Sequence, residues 1–551
     1  MSDKPTESSI FDSEINRRDL LKRAGRVGAG ALAAGALAGP AGAAVNKRLS
    51  RAGKKVPTGG TATWALEQDP GGIYPFGATL TINHTANEMM YDSLLEWDPK
   101  LNIKPALAAS YDVINSKRIV FNLRKGVLFH NGKEFTAADA KYSFDQILNP
   151  PLPGTSATLG QVPAIAGTTA LSKYKLQMDL KAPDARVYGF LAWGRYSAMV
   201  PENMYQTLNA STQGIGTGPY MLNGSYVPND HVNYVKNPKF WKPGLPYMDG
   251  INYKIIPDEQ SRIAALKAGS IDGAMVSAAN AVSINGFPGL TVLHNVTAAF
   301  RELQFTIKAG STKPWANKLV RQAINHAINR QNIIDKVYAG YGQFSGQVAA
   351  GYGPWAIPAA QLQSNYEKYD LPKAKSLMKQ AGVSGFDVTM TTFSTPDDFA
   401  ATAALMKNDL AQIGINVNIV TQDPVTFGAN NSAGSFDWDL TARGMRGDVD
   451  GYVAEYNPSA AVYNSWFPGW LGAPNSSPKR IWKLVGNGRI MLDTTKRLPM
   501  YQTLDKDLQD ESVEIGLVSV SKFFVVNKRL KNIYVAFTDF NPALRTAYIE
   551  S

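Results

Sequence analysis

The side chains that most often do covalent or metal chemistry are few in this chain and poorly spaced for it. There is no cysteine, so disulfide bracing and thiolate metal binding are excluded. The five histidines are His84, His130, His231, His294 and His326. No two of them stand at metal-ligand spacing, and H-E-x-x-H does not occur. Ser-x-x-Lys occurs at Ser172–Lys175, Ser376–Lys379, Ser476–Lys479 and Ser519–Lys522. Four such short matches in 551 residues are expected by chance, and the KTG and SDN partners of a serine acyl-enzyme are absent. G-x-S-x-G is absent too. Gly214-Ile-Gly216-Thr-Gly218 lacks the Gly-Lys-Ser/Thr ending of a phosphate loop and the spacing of a dinucleotide fingerprint, so it reads as a turn. No catalytic residue, metal site or cofactor is expected, and the profile favours binding over turnover. The 24 Tyr and 10 Trp fit a ligand-lined interior, although aromatics also build cores.

A second pattern concerns destination. Asn16-Arg-Arg-Asp-Leu-Leu-Lys22 carries paired arginines, Arg17 and Arg18, ahead of an uncharged Ala/Gly-rich run, Val27 to Ala44. The run is broken by Pro40, so it makes a poor permanent membrane anchor, which wants about 20 predominantly apolar residues. It ends in Ala41-Gly42-Ala43, a small-x-small cleavage site. The expectation is a removable twin-arginine export signal over 1–43, handled by the twin-arginine machinery. The mature chain would be periplasmic or otherwise extracytoplasmic. With no cysteine, a lipid anchor is not expected.

Charge adds little. The net charge is +11, but residues 44–56 hold five basic side chains and no acid, and residues 1–43 hold six basic and five acidic ones. The remaining body is only mildly basic, without the patch or stripe of a nucleic-acid binder, so no nucleic-acid partner is expected. Residues 44–57 read as a basic, solvated linker. The length suggests three to four structural units, and no second long apolar run marks a membrane span.

These features must be carried by an α/β scaffold. Ile119–Leu123 and Val127–His130 are strand candidates, the second followed by the turn pair Asn131-Gly132. Thr136-Ala-Ala-Asp139 resembles a capping box opening a helix to Leu148. Residues 150–170 are Pro, Gly, Ser, Thr and Ala rich and read as a surface loop. Val320, Ala323, Ile324, Ala327 and Ile328 form one helical stripe. Asp370 opens a helix that buries Ala374, Leu377, Met378 and Ala381 and stops at Gly382. A helix over 401–412 closes at Gly414, and Ile415, Val417 and Ile419 alternate as a strand. Helix followed by strand, repeated, argues for α/β lobes.

Six segments, in order, make the chain resemble the extracytoplasmic solute-binding proteins of ABC importers, in the oligopeptide/dipeptide/nickel-binding class (family 5). They are LRKGVLFHNGKEFTAADAKYSFDQIL (123–148), GTGPYMLNGSYVPNDHVNYVKNPKFWK (216–242), ALKAGSIDGAMV (265–276), VRQAINHAINRQNIIDKVYAGYG (320–342), KAKSLMKQAGV (373–383) and LAQIGINVNIVTQD (410–423). The resemblance implies a two-lobed, periplasmic-binding-protein-like clamp of type II, large class, with an extra subdomain. Lobe I would be 58–93 with 206–299 and 512–551, the extra subdomain 94–205, and lobe II 300–511, with chain crossings near 300 and 512. It implies a peptide or related small polar solute held between the lobes by a monomer and delivered to ABC permease subunits. A sugar oligomer, an amino-acid conjugate, a metal chelate or an exported hydrolase are the alternatives.

The resemblance also points to Phe436–Asp450 as the ligand stretch. In peptide-binding relatives an aspartate there holds the peptide ammonium, and Asp448 is its match, with Asp450 beside it. This chain departs from the pattern. Arg443-Gly444 stands where relatives carry Gly-Trp, and Arg446 precedes the aspartate. The two arginines could pair with the acids or hold an anionic group of the ligand. Trp438, Tyr452, Tyr456, Trp466 and Trp470 are candidate walls, and Tyr220 a candidate from lobe I.

Overall fold

The computed structural model describes residues 55–77, 81–98, 101–149, 162–209, 211–393, 398–534 and 544–550. The export signal and nearly all of the basic linker lie outside the described residues. Among the described residues no helix is long and apolar enough to cross a membrane.

After β1 (Thr61–Leu66) the chain builds a separate four-stranded antiparallel sheet. Its strands are β2 (Ala108–Asn115), β3 (Arg118–Leu123), β4 (Ile165–Ser172) and β5 (Lys175–Leu180), in the order β2-β3-β5-β4. Helix α1 (Ala137–Leu148) packs on this sheet, with Phe144 and Ile147 buried. It starts where the capping-box residues stand. The Asp139 carboxylate accepts from the Thr136 N–H at 2.9 Å and from Thr136 Oγ1 at 2.8 Å. Two short helices, α2 (Arg186–Leu191) and α3 (Gly194–Ser197), complete this subdomain.

Two sequence expectations change here. Val127–His130 is not a strand, because only Leu128 pairs, with Glu134, while the His130 N–H is drawn 2.9 Å to the Gly216 carbonyl. The turn beneath it does form, with Gly132 at φ 85°. The expected loop over 150–170 ends early. Ile165 onwards is β4, whose Ile165 side chain faces the core, and 150–161 lies outside the described residues.

Apart from two small two-stranded ladders, the other strands among the described residues join one eleven-stranded sheet. On the first lobe stand β6 (Tyr220–Leu222), β7 (His231–Lys236), β8 (Gly250–Ile255) and β9 (Gly273–Val276). Strand β10 (Leu290–Phe305) then runs into the second lobe. There follow α4 (Lys318–Ala327), β11 (Gly342–Phe344), α5 (Leu371–Gln380), β12 (Phe386–Phe393), α6 (Asp398–Ala411), β13 (Ile415–Gln422) and β14 (Trp438–Arg443). The helices α7 (Asp450–Val453), α8 (Lys479–Ile490) and α9 (Thr494–Glu511) lie among those that precede the returning strand β15 (Glu514–Asn527). The order is β13-β12-β14-β10-β15-β9-β1-β8-β7-β6, with β11 on β15.

Strands β10 and β15 belong to both lobes. Leu290–Val296 pairs with Ser521–Asn527 beside β9, and Phe300–Gln304 pairs with Glu514–Ser519 beside β14. Between these halves the register shifts at Val296/Phe300. A register break on two antiparallel connections is a local bend where the ladder is weakest. Thr297 Oγ1 spans it with a 3.0 Å bond to the Val520 carbonyl. The first crossing falls close to residue 300. The second falls at Ser519–Ser521 rather than near 512, because β15 runs straight through from one lobe to the other.

The second-lobe core gathers Phe305, Trp315, Val320, Ile324, Met390, Met406, Leu410, Ile415, Val417, Trp438 and Leu440. Each such fully buried side chain contributes about 1.5–3 kcal/mol. The stripes read from the sequence supply Val320, Ile324, Ile415 and Val417 of this set. The largest apolar cluster fills the extra subdomain and the first-lobe sheet, and continues into Met445, Val449, Tyr452 and Leu504. That continuity carries the extra subdomain onto the loop after β14.

Candidate functional site

The site forms where α2 and α3 of the extra subdomain meet the loop 444–449 and α7 of the second lobe. Backbone comes unusually close there. A Cβ added to Gly189 would stand 2.0 Å from the Gly447 carbonyl oxygen, and one on Gly447 would stand 3.3 Å from the Trp193 ring. The Ala185 N–H donates across the same seam to the Arg489 carbonyl at 2.7 Å. Between the two walls lies a cavity of about 30 Å³ lined by Arg186, Phe190, Tyr196, Arg446, Gly447, Asp448 and Gly451. That is room for about one water, so the two walls are shut against one another.

Three aspartates face this region, and each is held by an arginine. Arg497 clamps Asp448 with Nη1 to Oδ2 at 2.7 Å and Nη2 to Oδ1 at 2.5 Å. Asp450, fully buried, accepts from Arg489 Nε at 2.9 Å and from Tyr501 Oη at 2.8 Å. Arg186 binds Asp184 with Nε at 2.9 Å and Nη2 at 2.6 Å, and its Nε lies 3.9 Å from Asp450. Two-point guanidinium–carboxylate contacts are the strong form of the interaction. Burial works against the charges of Arg497 and Arg186, but their aspartates outweigh it and raise both pKa values. Asp184 is lowered in turn, burial being outweighed by Arg186 and by the Ala164 and Arg186 N–H groups. Burial, joined by the Asp450 charge, pushes the Tyr501 hydroxyl well above its ordinary range.

The structure thus brings together Asp448, Asp450 and Arg446 from the expected ligand stretch. Tyr452 lies just behind them. It is fully buried and donates through Oη to the Ala298 carbonyl at the register break of β10.

The other expected residues stand elsewhere. Arg443 faces into the base of the sheet. It binds Glu302 Oε1 and Oε2 through Nε at 2.7 and 2.8 Å, Glu514 through Nη2 at 2.7 Å, and also pairs with Glu455. Burial raises the pKa of both Glu302 and Glu514. Arg443 is therefore a tie between β10, β14 and β15 and not a cleft cation. Tyr456 is part of the same network, donating to Gln347 Oε1 at 3.0 Å and to Glu514. Trp438 packs edge-on against Phe305, Trp315 and Phe386 in the second-lobe core. Trp466 donates to the Asn431 carbonyl at 2.6 Å, and Trp470 to Glu511 at 3.1 Å. Tyr220 is fully buried in the first lobe. These five rings are core because apolar neighbours surround them, and none lines the cavity.

Sequence reasoning missed Arg186, Phe190, Tyr196, Arg489, Arg497 and Tyr501. The aromatic-rich run Tyr188–Tyr196 was the only local signal. Arg489 and Arg497 reach the site from α8 and α9, some 40–50 residues downstream, and Arg186 from α2; nothing local marks them.

Comparison with known proteins gives a consistent picture. Residues 102–464 match the family model described as "Bacterial extracellular solute-binding proteins, family 5 Middle". A glutathione-binding protein of Salmonella choleraesuis is 28% identical over 353 residues, 63% of this chain and 67% of that protein. The periplasmic binding protein DppA of Helicobacter pylori, solved with the peptide STSA, superposes with a TM-score of 0.68 at 24% identity, over 90% of this chain and 99% of that one. AgaA of A. tumefacien R10, solved with agropinic acid, gives a TM-score of 0.67 at 24% identity, over 89% of this chain and 99% of that one. At these identities the structures establish the two-lobed fold.

Proposed function

The chain belongs to the bacterial extracellular solute-binding proteins of family 5, and from that premise we propose that it captures peptides or related small polar solutes between its lobes for an ABC importer. The carrying observation is the pairing of a two-strand connection, broken in register at Val296/Phe300, with a shut, arginine-lined seam between α2 and the 444–449 loop. A solute that touches both walls stabilises the closed arrangement by the difference between its affinities for closed and open forms. The closed form then docks on membrane permease subunits, which take the solute onward unchanged. Relatives that bind glutathione, the peptide STSA and agropinic acid support a small solute of this kind.

Further parts of the reading are that the chain is exported through its Arg17-Arg18 signal, carries no lipid anchor, acts as a monomer and turns nothing over. The domain bounds are proposed as 58–93 with 206–299 and 521–551 for lobe I, 94–205 for the extra subdomain and 300–519 for lobe II, the last boundary following the crossing at Ser519–Ser521. Affinity-selection mass spectrometry of purified protein with a di- and tripeptide library tests the function. Saturable retention of intact peptides is the expected result. Cleaved products, or no retention, would overturn it.

A further inference from the structure

The charges at the seam say which end of a solute faces it. Taking the seam as the solute site proposed above, we infer that the solute presents a carboxylate to Arg446, and that no ammonium group is received by Asp448.

The aspartates are already committed. Both oxygens of Asp448 are occupied by Arg497, and Oδ1 also accepts the Asp450 N–H at 2.8 Å. Asp450 is filled by Arg489 at Oδ2 and Tyr501 at Oδ1. Asp184 is filled by Arg186 and by the Ala164 N–H at 3.0 Å. Three carboxylates thus meet three guanidiniums, Arg497, Arg489 and Arg186. An incoming ammonium at Asp448 would have to displace a two-point Arg contact from a largely buried pair, and that exchange leaves the Arg497 charge without a partner.

The fourth guanidinium is different. Arg446 lines the cavity, yet among the described residues its side chain has no hydrogen bond and no ion pair. Its stem is seated: a Cβ at Gly451 would stand 2.8 Å from Arg446 Cβ and Cγ, so glycine there lets the arginine lie flat on α7. Its main chain is fixed as well, because the carbonyl accepts from Tyr352 Oη. A half-buried, positioned cation without a counter-charge is a receptor for an anion. Phe190 and Tyr196 wall the same cavity. Among the residues that line the cavity, Arg446 is the single surplus positive charge, and one charge matches a carboxylate better than a phosphate monoester, which carries about −1.5 to −2 at neutral pH.

The test is a peptide library in four matched arms: amine free or acetylated, crossed with carboxylate free or amidated. A phosphoserine-containing set with amidated ends is added. Each is presented to wild-type protein, Arg446→Gln and Arg446→Lys, and retention is read by mass spectrometry. The inference expects acetylation to leave retention unchanged, and amidation to reduce it by about tenfold or more. Arg446→Gln should lose the carboxylate preference, with Arg446→Lys intermediate, at unchanged melting temperature. Retention that follows the free amine, that prefers the phosphate set, or that is equal for wild type and Arg446→Gln overturns the inference and leaves the clamp reading standing. Retention of no arm by folded wild-type protein overturns both.

Discussion

Gly189 offers a perturbation whose effects on binding and stability have opposite signs. It sits inside α2 on the extra subdomain and faces the Gly447 carbonyl of the second lobe, with Asp448 Cβ 3.5 Å from where its own Cβ would be. In Gly189→Ala the new methyl would stand 2.0 Å from that carbonyl oxygen. Ordinary carbon–oxygen contact needs more than an ångström of extra separation, so the seam cannot shut as it does now. Overpacking of this kind costs about 1–3 kcal/mol. The cost falls on the closed arrangement alone, because only there do α2 and the 444–449 loop touch. At about 1.4 kcal/mol per decade, affinity for the solute should fall about five- to 150-fold. Alanine is meanwhile the better helix residue by about 0.5–1 kcal/mol, so unfolding of the solute-free protein should be unchanged or slightly harder. Calorimetric titration with a peptide retained in the affinity selection, alongside thermal unfolding, reads both numbers. Affinity within about twofold of wild type would refute the reasoning that this seam is a closing surface.

Three further outcomes follow from the geometry. Arg443→Gln should destabilise the fold by about 3–5 kcal/mol, since it leaves Glu302 and Glu514 buried without their cation; chemical unfolding measures this, and lost affinity at full stability would return Arg443 to the cleft. Asp139→Ala should cost about 2–3 kcal/mol, because the Thr136 and Glu202 N–H groups lose a buried acceptor; an unchanged urea midpoint would contradict the capping account. His130 is kept neutral, Nδ1 accepting the Gly216 N–H at 3.3 Å, and burial pushes its pKa from 6.5 to about 4. The unfolded chain therefore binds the proton first. The stabilisation is complete above about pH 6.5 and is lost as pH falls toward 4, a change of about 3 kcal/mol. His130→Gln should flatten that slope, and an equally steep loss would reject the assignment.

The scaffold was more legible than the site, for a physical reason. The capping pair Thr136/Asp139 and the stripe of α4 are local patterns, written within a few turns of chain. The alternation Ile415-Val417 is local too, and it appears as β13 with both side chains buried. The site is assembled from distant pieces. Asp448 and Arg446 were found because they share one loop, but Arg497 and Tyr501 come from α9 and Arg186 from α2. Chain proximity misled in the opposite direction for Trp438 and Arg443, which stand on β14 a few residues before the loop. In a strand buried on both faces, side chains pointing either way meet protein. An arginine there reads as a candidate ligand contact until Glu302 and Glu514 are seen beside it. Val127–His130 failed because strand-like residues were claimed by packing and by the Gly216 carbonyl rather than by a neighbouring strand.

The most direct measurement is small-angle X-ray scattering of the purified chain, free of solute and then saturated with a peptide retained in the affinity selection. Closure about the β10/β15 crossing should lower the radius of gyration and sharpen the distance distribution, and Gly189→Ala should blunt the change. Identical profiles with and without bound solute would contradict a clamp that shuts on what it carries.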